Sequence, residues 1–449
     1  MSLVCAFDSG NYEFELDDYD QAIFDGGLMF NEEEVGVPMM FAPEGGFPEV
    51  KIGDLFQDSD NTSLEVVRKL GFGNDSSVWL VHTGKHYSAL RMLSQYATNT
   101  FHSPLHDTSG IYDEFSKHSK TNFHPGIEHL VKPESTFLWT LPNTNKHQCL
   151  LLELAGPPVA CVRQYFEDRL PPLNLIRNLC RQLLLALDFV HKECELVHTD
   201  ITPDKILIVN PLSSYDIQDL ISKTPQKWYT KPSTTFCDDL HIRDPDTPST
   251  IFRSVQEMVS QPIPPPHGFH RQLEKTVFRL SGFTKVQRLA NQTKDDISIP
   301  RMRAPEIVLG HQWNEKVDIW SFGCTIYEIL TGKHLFKVRP DEIREISYDS
   351  EHLLLMNMVS RSDFPLHMIK RSTNAHRYFH IDGTPIVGRY AFEAHTDVLA
   401  SNIAQARPSM TKVDLAAVTV FIRACLILDP DKRPGAAQLR ADPFLYMFE

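Results

Sequence analysis

No two cysteines stand close enough in this 449-residue chain to make a Cys-x-x-Cys pair; the eight lie singly at Cys5, Cys149, Cys161, Cys180, Cys194, Cys237, Cys324 and Cys425. Several fall inside apolar runs, so they read as reduced core thiols, and a disulfide framework or cysteine zinc site is excluded. No apolar run reaches the length that spans a bilayer. The opening Met-Ser-Leu-Val-Cys-Ala-Phe-Asp has neither a basic flank nor a continuous apolar core, so neither a membrane anchor nor a signal peptide is expected. Basic residues are missing before Lys51, whereas twelve acidic residues precede it, against a net charge of −14 for the whole chain. This leader, with Asp17, Asp18, Asp20 and Glu32-Glu33-Glu34, would repel nucleic-acid phosphates and anionic lipid, and reads as a solvated, poorly ordered tail. The sequence shows no internal repeat. What remains is an ordinary globular composition, 42% hydrophobic, sufficient for one large two-lobed domain or two smaller ones.

Strand-like runs begin at Leu64-Glu65-Val66-Val67 and Val78-Trp79-Leu80-Val81, which leaves residues 1–50 as the acidic leader. A small lobe over residues 51–153 closes at Leu150-Leu151-Leu152, a short apolar run suited to a buried strand. In the larger lobe, residues 154–449, Leu175, Leu179, Leu183 and Leu187 recur with Leu184 and Val190 at steps of three and four, which predicts a long amphipathic helix. Residues 211–275 are rich in Pro, Ser, Thr and Asp and form an insert. A structureless connection of that length is uncommon in a compact domain, so a helix over residues 251–259, or disorder, is expected there. From Lys316 to Thr331 the sequence is apolar almost all round, the pattern of a core helix, and Gly332 supplies its stop.

Leu70-Gly71-Phe72-Gly73-Asn74-Asp75-Ser76-Ser77-Val78 joins two of the strand-like runs. Alone, its glycines suit a hairpin turn as well as a loop over phosphates. It is followed in order by Tyr87-Ser88-Ala89-Leu90-Arg91, Tyr112-Asp113-Glu114-Phe115, His198-Thr199-Asp200-Ile201-Thr202-Pro203-Asp204-Lys205, Ala304-Pro305-Glu306, Val317-Asp318-Ile319-Trp320 and Asp429-Pro430-Asp431-Lys432-Arg433-Pro434. In that order and spacing the chain resembles a eukaryotic protein kinase. Three details narrow the resemblance to the SR-protein kinase-like Ser/Thr kinases and their fungal relatives. Ser76 stands at the third glycine position with Trp79 after Val78; His-Thr-Asp occupies 198–200; and a long insert follows the catalytic loop. The resemblance covers residues 50–449. It implies a two-lobed α+β kinase fold, with a small β-rich lobe, a large helical lobe and nucleotide in the cleft. It further implies ATP and magnesium as cofactors, Arg/Ser-rich protein substrates, no nucleic-acid or membrane partner, and a monomer in the cytoplasm or nucleus. It puts Gly71, Gly73, Ser76, Val78, Arg91, Glu114 and Glu153 at the nucleotide and Asp200 at the position of the base.

The departures fall where phosphate and metal are handled. Arg91 replaces the Lys that pairs the phosphates with a helix Glu, here Glu114, and a planar guanidinium does not place its charge where an ammonium would; a plain surface pair is the bland alternative. Thr202 replaces the Lys that neutralises the transferring phosphoryl, and Lys205 the Asn that holds a metal ion. The Asp-Phe-Gly metal motif falls best on Leu280-Ser281-Gly282-Phe283-Thr284, with Gly282 in the place of the carboxylate. An alternative slot at Phe236-Cys237-Asp238-Asp239-Leu240 would leave more than sixty residues before Ala304. With Lys205 and Gly282 the metal position shifts by two charges against a dication that needs oxygen ligands. Unit charges a few ångströms apart interact by about 4 kcal/mol at an effective dielectric near 20, so magnesium is disfavoured and no metal ligand is expected. ATP binding stays possible, with the Lys205 ammonium standing for the cation, and phosphoryl transfer is expected to be impaired or lost. The alternative is a kinase that still works by unusual metal use. Asp200 then either accepts a hydroxyl proton or, with His198, ties the loop to the core helix through Asp318. Glu345, Asp349 and Glu351 lie where the resembling family docks basic peptides, and a helix start explains them equally well.

Overall fold

The computed structural model describes residues 46–447, apart from 49, 74, 103–109, 113, 116, 118–123, 141–145, 167–168, 210–211, 229–257, 266–272, 291, 293–296, 339–346 and 387–396. Residues 1–45 and 49 of the acidic leader, the alternative metal slot at 236–240 and Glu345 lie outside the described residues. Along the chain run β1 (Leu55–Gln57), β2 (Ser63–Gly73), β3 (Ser76–His82), β4 (Tyr87–Leu93), α1 (Gln95–Phe101), β5 (Pro133–Thr140), β6 (Lys146–Glu153), α2 (Leu173–Asp188), β7 (Leu196–Val197) and β8 (Ile206–Ile208). Next come α3 (Ser214–Lys223), β9 (Phe278–Leu280), β10 (Gln287–Arg288), α4 (Pro305–Leu309), α5 (Lys316–Thr331), α6 (Tyr348–Ser360), α7 (Leu366–Arg371), α8 (Val398–Ala406), α9 (Lys412–Cys425) and α10 (Ala436–Leu439). The described parts of residues 1–101, 132–156 and 210–264 form one compact unit, and those of 102–131, 157–209 and 265–449 another.

The first unit is built on an antiparallel sheet in the order β1-β2-β3-β4-β6-β5. The period-two pattern of β2 puts Leu64 and Val66 inside while Glu65 stays exposed, and Trp79, Val81, Leu90, Met92, Cys149 and Leu151 complete the same core. Each such side chain contributes on the order of 1.5–3 kcal/mol by leaving water. Helix α1 is tied to the sheet by Thr98, whose Oγ1 accepts from Gln148 N at 2.9 Å.

The ordered part of the insert packs on this sheet. Helix α3 starts at a reciprocal cap between Ser213 and Asp216, and its Ile217 joins Leu80 and Ile263 in a second apolar cluster. Buried Arg68 on β2 donates to Thr224 O and, at 3.1 Å, to Thr224 Oγ1. Lys69 Nζ donates to Met258 O at 3.3 Å, and Gln261 N donates to Lys69 O at 2.9 Å. Of the helix expected over residues 251–259, only Met258 and Val259 are described, and neither is helical; Met258 pairs with Trp228 as an isolated bridge. Among the described residues of the insert the helix is α3, which forms earlier in the chain because a capping box and an apolar stripe lie there.

The second unit is mainly helical. Helix α2 carries the predicted leucine stripe inward, and the chain leaves it through one π turn, Phe189–Glu193. Helix α5 has the predicted bounds and is buried on nearly every side. It ends at Gly332 with φ +71°, a left-handed residue that glycine adopts without strain. The described cysteines, Cys149, Cys161, Cys180, Cys194, Cys324 and Cys425, are free and buried, and burial pushes the thiols of Cys149 and Cys194 up to about 12. Among the described residues no helix is long and apolar enough to cross a membrane.

Candidate active site

In the sheet unit the predicted nucleotide residues sit on β2, β3, β4 and β6. Gly71 pairs with Val78, and Gly73 with Ser76, across the hairpin. Neither glycine has a positive φ, and a Cβ added at either would meet nothing within 4 Å. Turn conformation and crowding therefore do not demand glycine there. Arg91 lies opposite Val78 on β4, and its Nε donates to Ser76 Oγ at 2.8 Å. Glu153 closes β6, where its Oε1 accepts from Lys132 N at 3.1 Å. Ser76, Val78 and Arg91 are thus brought together, and Glu153 is engaged with the backbone of Lys132.

The remaining predicted residues belong to the helical unit. Glu114 lies in a helical segment with Ile111, Tyr112, Phe115 and Lys117. Its carboxylate meets Lys117 Nζ at 3.2 Å and Arg288 Nη2 at 3.8 Å, so within its own unit it is paired with cations other than Arg91.

The catalytic-loop frame is held through its backbone. Buried Asp318 on α5 accepts from His198 N at 2.7 Å and Thr199 N at 2.8 Å, and its Oδ2 lies 2.8 Å from His191 Nε2. Thr199 takes a left-handed φ of +66°, its Oγ1 donates to Lys285 O at 2.7 Å, and its carbonyl accepts from Ser298 Oγ at 2.8 Å. The His198 ring lies 2.9 Å from Ser281 O through Nε2 and 3.3 Å from Asp200 N through Nδ1. That pair of contacts requires a proton on Nε2 and a lone pair on Nδ1, the neutral ring. Burial lowers the pKa of His198 and so favours the same form, although Asp318 nearby works against it.

The Asp200 carboxylate does not reach Asp318 in this network; Lys285 Nζ lies 3.5 Å from its Oδ2. The expected tie to the core helix therefore runs through the amides of His198 and Thr199, while the side chain of Asp200 faces a cation. Burial works against the charge of Asp200, yet Lys205, Lys285 and His198 hold its pKa below the usual value. Thr202 is buried and precedes the short turn Pro203–Lys205. Next to it, burial pushes Asp204 up to about 7, with Lys205 lowering and Glu328 raising it. Among the described residues, Asp204 Oδ1 is shut off from water and has no hydrogen-bond partner.

Gly282 and Lys205 are in direct contact. Gly282 has φ +89°, and a Cβ built on it would stand 2.8 Å from Lys205 Cδ and 3.4 Å from its Cγ and Cε. The two residues are locked in register, because Ser281 N and Oγ donate to Lys205 O at 2.7 and 2.9 Å. Phe283 is buried beside them, with ring centroids 4.9 Å from both Phe115 and His198. In the segment Leu280–Thr284 a buried aromatic thus follows a glycine, and the stem of Lys205 fills the space beside that glycine. The donor set does not suit magnesium: Gly282 offers no oxygen from a side chain and Lys205 offers an ammonium.

Glu306 and Arg433, on α4 and in the segment before α10, form a fully buried bidentate pair at 2.7 and 3.0 Å. The Arg433 guanidinium also lies over Trp320, 5.1 Å from the ring centroid. Asp349 accepts from Tyr378 Oη at 3.1 Å in the first turn of α6, whose N-cap is Ser347. Sequence reasoning missed Lys285 and Ser281. The one signal for Lys285 is its place two residues after Phe283, since it belongs to no periodic run.

Comparison with known proteins agrees with this arrangement. The protein kinase domain family matches residues 272–445. A serine/threonine-protein kinase SRPK of Physarum polycephalum is 23% identical over 94% of this chain and 93% of its own length. Protein kinase dsk1 of Schizosaccharomyces pombe is 24% identical over 89% and 83%. SRSF protein kinase 3 of Mus musculus is 30% identical over a shorter stretch, 41% of this chain and 32% of that protein. The crystal structure of a kinase domain superposes with a TM-score of 0.58 at 21% identity, covering 89% of this chain and 98% of the other, a likeness of fold. The β-sheet unit, the helical unit and the structural likeness give the chain the protein-kinase fold, and the chain is similar to SRPK-type Ser/Thr kinases.

Proposed function

We propose that the chain is a pseudokinase of the SR-protein kinase type, a scaffold or allosteric partner in which phosphoryl transfer is impaired or lost. The observation that carries this reading is the packing of Lys205 on Gly282, because a lysine stem fills the volume where a metal-holding carboxylate would branch. Thr202 leaves a second phosphate-handling position without a cation of its own. Electrostatic clamps of this kind are each worth about a hundredfold or more in rate, and Asp200 alone does not replace them. By contrast the structural pairs, Glu306 with Arg433 and Asp318 with the loop amides, are intact. Binding of ATP without magnesium fits this pattern, and a basic, Arg/Ser-rich protein is the partner class suggested by relatives named for SRSF proteins. A cytoplasmic or nuclear setting and a monomer belong to the same reading.

One observation favours a second reading, an active ATP-dependent Ser/Thr kinase acting on such basic proteins: Asp200 is kept and held ionised. Radiolabel transfer to an Arg/Ser peptide separates the two. The native chain is expected to transfer at background, beside a version carrying Arg91→Lys, Thr202→Lys, Lys205→Asn and Gly282→Asp. Robust magnesium-dependent transfer by the native chain overturns the pseudokinase reading.

A further inference from the structure

The helical unit carries a further cluster of ligating side chains, outside the catalytic-loop frame. His367 in the first turn of α7, and Asp429 and Asp431 in the segment between α9 and α10, each offer one donor atom, all within 4.8 Å of one another. Asp429 is the fixed member. Its side chain is 4% exposed, its Oδ1 accepts from Asp431 N at 3.1 Å, and its backbone carbonyl accepts from Lys432 N and Arg433 N at 3.1 and 3.0 Å. Its other carboxylate oxygen, Oδ2, faces His367 Nε2 at 3.8 Å and Lys432 Nζ at 3.5 Å. Both separations exceed the about 2.7–2.9 Å of a charge-assisted hydrogen bond. A nearly buried carboxylate oxygen therefore points between two nitrogens and closes on neither. Burying such a group is costly unless its charge is met, and the Lys432 side chain, 75% exposed on a flexible stem, meets it weakly.

Two carboxylates and a neutral imidazole carry two negative charges, the complement of a dication. A set of one nitrogen and two oxygens suits zinc, whereas magnesium and calcium take oxygen ligands. Zinc bonds of about 2.0–2.2 Å put neighbouring donors roughly 3.3–3.5 Å apart in a tetrahedron, so the cluster has to contract by roughly an ångström. The exposed His367 and Asp431 can turn inward to do so, while Asp429 stays in place and Lys432 swings out to water. We propose that His367, Asp429 and Asp431 form a zinc site, with water as fourth ligand, that pins α7 to the turn carrying Arg433. Because that turn presents Arg433 to the buried Glu306, the ion's role is to brace the large-lobe anchor. The inference does not depend on whether the chain transfers phosphate.

The experiment is calorimetric titration of the full chain, free of any affinity tag and stripped of metal, with zinc chloride and in parallel magnesium chloride. One zinc per chain is expected. His367→Ala and Asp431→Asn should each weaken it about tenfold or more, since even loss of an outer-shell partner costs roughly 10–100-fold. His86→Ala, at an exposed imidazole of the sheet unit beside Glu134, serves as the control and is expected to leave binding unchanged. Zinc should also raise the melting temperature of the native chain and leave that of His367→Ala where it stands in EDTA. Loading the native chain with cobalt(II) needs no variant, and the strong visible absorption of a four-coordinate ion is the expected result. No zinc binding, binding indifferent to both His367→Ala and Asp431→Asn, magnesium bound as tightly as zinc, or the weak spectrum of six-coordinate cobalt overturns the proposal. The pseudokinase reading fails separately, on transfer to peptide, whatever the zinc titration returns.

Discussion

Placing a methyl group on Gly282 tests whether the two residues at the metal positions are one interlocked unit. In Gly282→Ala the new Cβ would stand 2.8 Å from Lys205 Cδ on a backbone with φ +89°. Two costs follow. Holding a side chain in the left-handed region costs about 1–2 kcal/mol wherever it occurs. Pushing the lysine stem off its rotamer adds about 0.5–1.5 kcal/mol, and only while that stem is present. The single variant should lose roughly 1.5–3.5 kcal/mol in total. In a Lys205→Ala background the same substitution should cost only the backbone share, leaving a coupling of about 0.5–1.5 kcal/mol. Equilibrium urea unfolding followed by tryptophan fluorescence measures both legs of the cycle. Equal costs in the two backgrounds, within about 0.3 kcal/mol, would refute the interlock. The same geometry says that Gly282→Asp needs Lys205→Asn beside it before an ordered carboxylate can occupy the site.

Arg433→Met should lose about 3–5 kcal/mol, because it strands the buried Glu306 carboxylate, and pairing it with Glu306→Leu should return much of that loss in the same unfolding assay. Asp204 is raised from 3.8 to about 7, so the folded state favours its protonated form. Its share of stability is intact below about pH 4 and is lost as pH climbs towards 7, up to about 4 kcal/mol, while Asp204→Asn should flatten that slope in melts between pH 4 and 8. Arg68→Ala removes the donor to Thr224 O and Oγ1; faster amide hydrogen exchange across α3, with the protection of α5 unchanged, is the expected result.

The elements legible in the sequence were those with a period. Leucines at three- and four-residue steps announced α2, the all-apolar run announced α5, and short apolar runs announced β2, β3 and β6, because each pattern reports which face leaves water. Arg433 could be matched to Glu306 because both stand in fixed motifs. Lys285 was invisible for the opposite reason: what brings its ammonium to Asp200 is the left-handed turn at Gly282 and the grip of Thr199 on its carbonyl, neither of which has a periodic signature. The partners of Glu114 were missed in the same way, since Lys117 is a local helix neighbour and Arg288 arrives from β10. Helix α3 escaped notice because an insert rich in turn-forming residues masks a ten-residue stretch with its own cap.

Asp318 grips amide hydrogens of the loop and leaves its side chains alone. A support of that kind is indifferent to what the loop displays: exchanging the residues at 202 or 205 alters the contents while the posture of the main chain persists. Chemistry at those two positions can then drift without collapse of the architecture.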